Sequence, residues 1–113
     1  MSKLLLGKLI RKLRKKKGLS LRKLAEKVDI SYVNIAHIEN GNIVTSDKVL
    51  KQLAKALNYD VDKMLATADS VNEDIKKIIK KLPTVLPEFL RTAKNLTEEE
   101  WKELTEQVKK KNR

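Results

Sequence analysis

The sequence has no cysteine, and aromatic side chains occupy only 4% of its 113 positions. Without cysteine the chain has no disulfide, thiolate metal site or thiol nucleophile, so nothing indicates an oxidising compartment. Long apolar runs are also missing. The longest stretch without a charged residue is the nine-residue segment Ile30–Ile38, whereas a membrane span needs about 20 apolar residues. The start does not match a signal peptide, because Gly7 and Lys8 interrupt its short apolar run. We therefore expect a soluble, cytoplasmic protein that does not enter a membrane.

Negative charge is also scarce: 15 Asp or Glu stand against 26 Lys or Arg, a net charge of +11. Residues 1–28 hold eleven of the basic residues and a single acidic one, Glu26, whereas residues 70–113 hold eleven basic and eight acidic residues. Like charges on one surface repel unless an anionic partner neutralises them. The first segment is therefore predicted to face an anion, with nucleic acid as the first candidate and an anionic membrane surface as the second. The mixed charge of the tail is typical of a solvated face.

Apolar residues at helical spacing predict five short helices between residues 3 and 67, forming one all-α domain. Ser20, Ser31, Ser46 or Asp47, and Asp60 are the expected N-caps, and Gly18, Gly41 and Asn58 are the expected helix ends. The predicted inward faces are Leu6, Leu9, Ile10 and Leu13; Leu21, Leu24, Ala25 and Val28; Ile35 and Ile38; Leu50, Leu53, Ala54 and Leu57; and Val61, Met64 and Leu65.

Residues 68–113 form a predicted helical tail, with helices at 71–82, 86–94 and 98–110. Ser70 with Glu73, and Thr97 with Glu100, match the spacing of a capping box. Apolar stripes on the tail could pack back on the first domain or against a second copy. We favour a homodimer, because the core of the first domain is complete without them. The expected interface residues are Leu86, Phe89, Leu90, Trp101, Leu104 and Val108.

The segment Ser20–Asn40 reads as helix, three-residue turn and helix, which is the geometry of the helix-turn-helix. Ala25 is small where two helices must approach closely, and Ile35 and Ile38 close the junction. The outward face of the second of these helices is uncharged. Such a face suits a helix in the DNA major groove, with the charge on neighbouring elements at the phosphates. This face consists of Ser31, Tyr32, Val33, Asn34, Ala36 and His37.

Several blocks of residues 3–67 resemble the Xre family of lambda-repressor-like transcription regulators: Gly7–Arg14, Gly18–Ala25, Ser31–Ile35, Ile38–Gly41, Leu53–Leu57 and Val61–Leu65. The resemblance implies a five-helix DNA-binding domain and a structural salt bridge between Arg14 and Glu39. Two positions depart from the usual pattern, with Leu21 where many members have Gln and Thr45 where many have Pro. The implied base contacts come from Tyr32, Val33, Asn34 and His37. The implied phosphate contacts come from Ser20, Arg22, Ser31, Asn40 and Asn42.

The expected function is that of a sequence-specific regulator of transcription, a repressor that binds a palindromic operator in double-stranded DNA as a homodimer. The alternative is an antitoxin of a toxin–antitoxin pair that represses its own promoter. An antirepressor or a protease is a further expected protein partner. We expect neither cofactor, metal nor catalytic residue, because His37 is the only histidine and has no cysteine to join it. The uncharged face argues against a membrane-surface protein.

Overall fold

The computed structural model describes residues 2–112, and over that range the chain is all-helical, as the sequence predicts, with no strand. No helix in this range is long and apolar enough to cross a membrane. The helices are α1 (Ser2–Lys16), α2 (Leu21–Ala25), α3 (Tyr32–Glu39), α4 (Asp47–Ala56), α5 (Val61–Thr67), α6 (Glu73–Lys81), α7 (Val85–Thr92) and α8 (Glu98–Lys111).

The chain divides into two compact units, one ending at Ile75 and the other beginning at Lys76. In the first unit α1 packs on α3 and α5, α2 on α3, and α4 on α5. The predicted inward faces meet in one core, in which Ile10, Ile35 and Ile38 have no exposed surface. The other core residues are Leu6, Leu24, Val49, Leu50, Leu53, Ala54, Leu57, Met64 and Leu65.

Local polar groups define where the helices of the first unit begin and end. Ser20, Ser31, Ser46 and Asp60 each accept a hydrogen bond from the backbone N–H three residues later, as predicted for N-caps. Gly18 and Gly41 follow α1 and α3 with φ of 68° and 75°. This left-handed backbone is the geometry of a helix C-terminus that glycine adopts at the lowest cost.

Two details of the predicted tail differ from the structure. The capping box of Ser70 and Glu73 is wrong: α6 begins at Glu73, directly after Asn72, and the Ser70 hydroxyl instead donates to the Asp47 carboxylate over 2.9 Å. The helix predicted at 86–94 is displaced toward the N-terminus, to Val85–Thr92. The capping box of Thr97 and Glu100 is confirmed at the start of α8.

The second unit buries far fewer of its side chains than the first unit does. Of its described residues, 76–112, only Ala93 is buried. A ring contact joins α7 to α8, where Phe89 and Trp101 meet edge to face with their centroids 5.9 Å apart. Several large apolar side chains of this unit are consequently about half exposed.

Candidate nucleic-acid interface

Helix α3 turns an uncharged face to solvent. Val33 is 48% exposed and Tyr32 is 39% exposed, and Asn34 and His37 are exposed as well. At 100° per residue, Val33 and His37 lie near the centre of this face, with Tyr32 and Asn34 at its two edges. The structure thus brings the four predicted base-reading side chains to one surface.

Both ends of α3 are fixed by hydrogen bonds. At the start, the Ser31 hydroxyl accepts from the backbone N–H of Asn34 over 3.2 Å. At the end, the N–H of Asn42 donates to the His37 carbonyl over 2.9 Å, and the N–H of Gly41 donates to the Ile38 carbonyl over 3.0 Å. This pair of bonds is a Schellman motif, which satisfies the last carbonyls of the helix. The outward face is therefore carried by a rigid, capped helix.

The side chains predicted to meet phosphates are exposed and surround α3. Ser20 and Arg22 lie at the start of α2, Ser31 precedes α3, and Asn40 and Asn42 follow it. The hydroxyls of Ser20 and Ser31 also cap their helices. Exposed polar groups thus lie at the start of α2 and at both ends of α3. Contacts from such groups to phosphates fix the register of a helix in the major groove.

The guanidinium group of Arg22 has a defined position on the surface. Its Cζ lies 4.5 Å from the centroid of the Tyr32 ring, within the range of a cation–π contact. Its Nη2 also donates to the Tyr32 hydroxyl over 3.3 Å. Arg22 therefore joins α2 to the first residue of α3 as well as offering a positive charge.

Arg14 and Glu39 lie together as the resemblance implies. Arg14 Nε donates to Glu39 Oε2 over 2.6 Å, and Nη2 donates to Oε1 over 2.9 Å. A third bond runs from Nη1 to the Leu19 carbonyl over 2.9 Å. The hydrogen bonds to Glu39 raise the pKa of Arg14 above its usual value. One guanidinium thus joins α1, the turn before α2 and the end of α3.

Gly7 is a structural residue of this interface that sequence reasoning did not single out. A Cβ at this position would lie 2.4 Å from the Ile38 carbonyl oxygen and 2.6 Å from that of Glu39. The end of α3 therefore contacts the backbone of α1 directly. Glycine in the middle of a predicted helix was the available signal, because it costs helix stability unless something approaches closely.

The turn between α2 and α3 is held by a second group that sequence reasoning missed. Gln52 of α4 accepts from the Asp29 backbone N–H over 2.9 Å and donates to the Asp29 carboxylate over 2.8 Å. Lys48 Nζ lies 3.5 Å from the same carboxylate. The Gln52 hydrogen bond and, after it, the Lys48 charge lower the pKa of Asp29. No local pattern signals this contact, because its partners are more than twenty residues apart.

The second unit contains the predicted interface residues. Phe89, Leu90 and Val108 are 48%, 46% and 54% exposed, whereas Leu86, Trp101 and Leu104 are partly covered. An apolar groove of about 300 Å³ runs between α7 and α8 and is lined in part by Phe89, Trp101, Leu104 and Val108. Four of the six predicted residues thus line one open apolar groove.

Part of this chain matches known proteins. A helix-turn-helix family model matches residues 10–64. The competence pilus inhibition repressor of Acinetobacter baylyi is 35% identical over 69 residues, which are 61% of this chain and 63% of that protein. The chain therefore matches less than two thirds of the length of this curated relative.

Solved structures of a gene regulator also match this chain. The clp gene regulator ClgR of Corynebacterium glutamicum matches with a TM-score of 0.54 at 30% identity, over 61% of this chain and 90% of that one. A second structure of ClgR covers 82% of this chain and 94% of that one, with a TM-score of 0.55 at 25% identity. The complex of SinR with SinI matches at 20% identity and a TM-score of 0.52 over 95% of this chain and 97% of that one, which shows likeness of fold alone.

Proposed function

Because this chain belongs to the helix-turn-helix family of the Xre, lambda-repressor-like type, we propose that it regulates transcription by binding operator DNA through α3. The observation that carries this proposal is the neutral, capped outward face of α3, in a unit whose residues 1–28 hold eleven Lys or Arg against one acidic residue. A regulator of this kind acts where the operator lies, so we place it in the cytoplasm.

Affinity and sequence preference come from different groups in this proposal. Residues 1–28 carry eleven Lys or Arg against one acidic residue, and cations near phosphates bind DNA by releasing its counterions. The contacts that set the register come from Ser20, Arg22, Ser31, Asn40 and Asn42, which are exposed around α3.

In this proposal the four exposed side chains of α3 contact the bases. The amide of Asn34 has the donor and acceptor pattern that pairs with an adenine edge, and the Val33 methyl groups suit a thymine methyl. The His37 ring and the Tyr32 hydroxyl can both donate and accept hydrogen bonds. Changing Tyr32 or His37 to Ala should cost about 1–3 kcal/mol at the affected base pairs.

We propose a division of labour along the chain, with residues 3–67 as the DNA-binding domain and residues 68–113 as the oligomerisation segment. A homodimer would place two copies of α3 on a palindromic operator, with half-sites ~34 Å apart. The half-exposed Phe89, Leu90 and Val108 support this assignment, because a monomer rarely leaves a large contiguous apolar surface in water.

The charge order along α8 supports pairing with a second copy of the same helix. Its first turn contains Glu98, Glu99 and Glu100, and its last turn contains Lys109, Lys110 and Lys111. Two copies packed antiparallel along Trp101, Leu104 and Val108 would set each acidic end beside a basic end. Such a contact is isologous, as a two-fold dimer requires.

Charge-reversal variants test this pairing in the full-length chain. One variant carries Glu at 109–111 and the other carries Lys at 98–100, so each alone has ends of one sign. We expect each variant to be monomeric and an equimolar mixture to form a dimer, as measured by light scattering. Lys102→Ala, which lies on the opposite face of α8, is the control and should stay dimeric. A wild-type monomer, or dimers of each variant alone, would contradict the assignment.

The experiment for DNA binding is selection of bound sequences from random duplexes, followed by affinity measurements over a range of salt. We expect a palindromic motif and an affinity that falls by orders of magnitude between low and high salt. An affinity indifferent to salt would contradict the counterion mechanism, and no enriched motif would contradict the readout. Co-purification of a small toxin would instead identify the chain as an antitoxin.

A further inference from the structure

Arg22 stands between a side chain predicted to read bases and the surface predicted to meet phosphates. We propose that Arg22 is a positioning residue, which holds the Tyr32 ring in its reading orientation while its free N–H groups bind a phosphate. This inference rests on the proposed function and adds a specificity-determining residue to it. It makes the orientation of a base reader depend on a phosphate contact.

Tyr32 needs such support because of where it lies. It is the first residue of α3 and 39% exposed, so core packing alone does not fix its ring. The residues next to Arg22 in sequence contact other groups. Leu21 packs against the core, the Ser20 hydroxyl accepts from the Lys23 N–H, and the Lys23 ammonium lies 3.9 Å from Glu26. Arg22 is the α2 side chain that contacts the Tyr32 ring.

The contact has two parts that depend on the shape of arginine. The planar guanidinium lies over the ring, with Cζ 4.5 Å from its centroid, and Nη2 donates to the hydroxyl over 3.3 Å. A lysine ammonium is a point charge and cannot stack on a ring in this way. The ring is therefore held on its face and at its hydroxyl by one group.

Arg22 keeps enough capacity for DNA while it holds Tyr32. Arginine has five N–H donors, and one of them serves the Tyr32 hydroxyl. Among the described residues no carboxylate forms an ion pair with Arg22, so its charge is not neutralised within the protein. A phosphate oxygen can accept from the remaining donors without breaking the contact with Tyr32.

A double-mutant cycle tests this coupling in the full-length protein. Discrimination is measured as the ratio of Kd for an unrelated duplex to Kd for the selected operator at fixed salt. Arg22→Lys keeps the charge, so we expect an unchanged salt dependence. It removes the planar contact and the forked donors, so discrimination should fall by at most about fivefold, the size of an exposed cation–π contact. On a Tyr32→Ala background, Arg22→Lys should cause no further loss. Arg91→Lys, an exposed arginine of α7 outside the predicted DNA-binding surface, is the matched control and should change neither quantity.

Two further measurements separate positioning from folding. Tyr32→Phe keeps the ring and removes the hydroxyl, so it should lose less discrimination than Tyr32→Ala. In the free protein, the Nε–H resonance of Arg22 should show a ring-current shift that disappears in Tyr32→Ala. Additive losses in the cycle, or full discrimination in Arg22→Lys, would overturn the role of Arg22 and leave the proposed function intact. Failure of the wild-type protein to select any operator would overturn both proposals.

Discussion

The two units of the chain treat their apolar side chains in opposite ways. Among residues 2–75, nine large apolar side chains are almost completely buried, whereas in residues 76–112 only Ala93 is buried. Both units are built from amphipathic helices, so the difference lies in what covers the apolar face. The helices of the first unit cover one another's inward faces, although Leu4, Leu5 and Val44 stay exposed, while the second unit leaves much of its apolar face open. Stability should therefore be concentrated in the first unit, and association in the second.

The largest difference between the units is expected in the free energy of unfolding after truncating one leucine in each. Leu53 has no exposed surface and Leu82 is 44% exposed. Leu53→Ala should lower the free energy of unfolding by about 3–5 kcal/mol, because it removes buried methyl groups and leaves a cavity. Leu82→Ala should cost less than about 1 kcal/mol. Urea unfolding followed by far-ultraviolet circular dichroism measures both, and equal losses would remove the distinction between the units.

Breaking an ion pair should also cost more stability in the first unit than in the second, by smaller amounts than the leucine truncations. The side chains of Arg14 and Glu39 are only 12% and 5% exposed, so Glu39→Gln should cost about 2–3 kcal/mol by leaving the guanidinium without its charged acceptor. The pair of Lys109 and Glu106 is 64% and 66% exposed, and Glu106→Gln should change stability by less than about 0.5 kcal/mol. Thermal unfolding of both variants beside the wild type checks the ratio.

Dilution should distinguish the stability of the two units without any mutation. Trp101 is the only tryptophan and lies in the second unit, so its fluorescence reports the tail. If folding of the tail is coupled to dimerisation, each tenfold dilution should lower its apparent stability by about 1.4 kcal/mol. The near-ultraviolet dichroism of tyrosine reports the other unit, because Tyr32 and Tyr59 both lie there. Tail unfolding that is independent of concentration would contradict the coupling.

Local pattern predicted most of the first unit because its helices begin and end at residues with local roles. Ser31 caps α3 and Gly41 follows it in the left-handed region, and the predicted inward pair Ile35 and Ile38 is fully buried. Such signals act over three or four residues, so a single sequence contains them. The error at Ser70 has a matching cause, since its hydroxyl bonds to Asp47, which is distant in sequence.

The candidate site was less predictable where its contacts join separate elements. The pairing of Asp29 with Gln52, and the close approach of Gly7 to the end of α3, depend on how helices cross. The position of Arg22 over Tyr32 depends on a rotamer that α2 and α3 define together. Residue type marked these positions as polar or small, but the partners became known only from the packed structure.

The smallest predicted effect concerns the acid sensitivity of the first unit. The pKa of Asp29 is lowered by the Gln52 hydrogen bond and then by the Lys48 charge. A lowered pKa means that the folded protein binds this proton less readily than the unfolded chain. The stabilisation is therefore present above the unfolded value of 3.8 and is lost as the pH falls through the folded pKa.

Wild-type Tm should accordingly drop more steeply below about pH 4 than the Tm of Asp29→Asn, whose side chain does not titrate. Thermal unfolding between pH 2 and pH 7 measures both proteins. Because Asp29 lies in the turn between α2 and α3, parallel curves for wild type and Asp29→Asn would mean that Gln52 holds this turn through the backbone N–H alone. The carboxylate would then contribute nothing to fixing the angle at which α3 is presented.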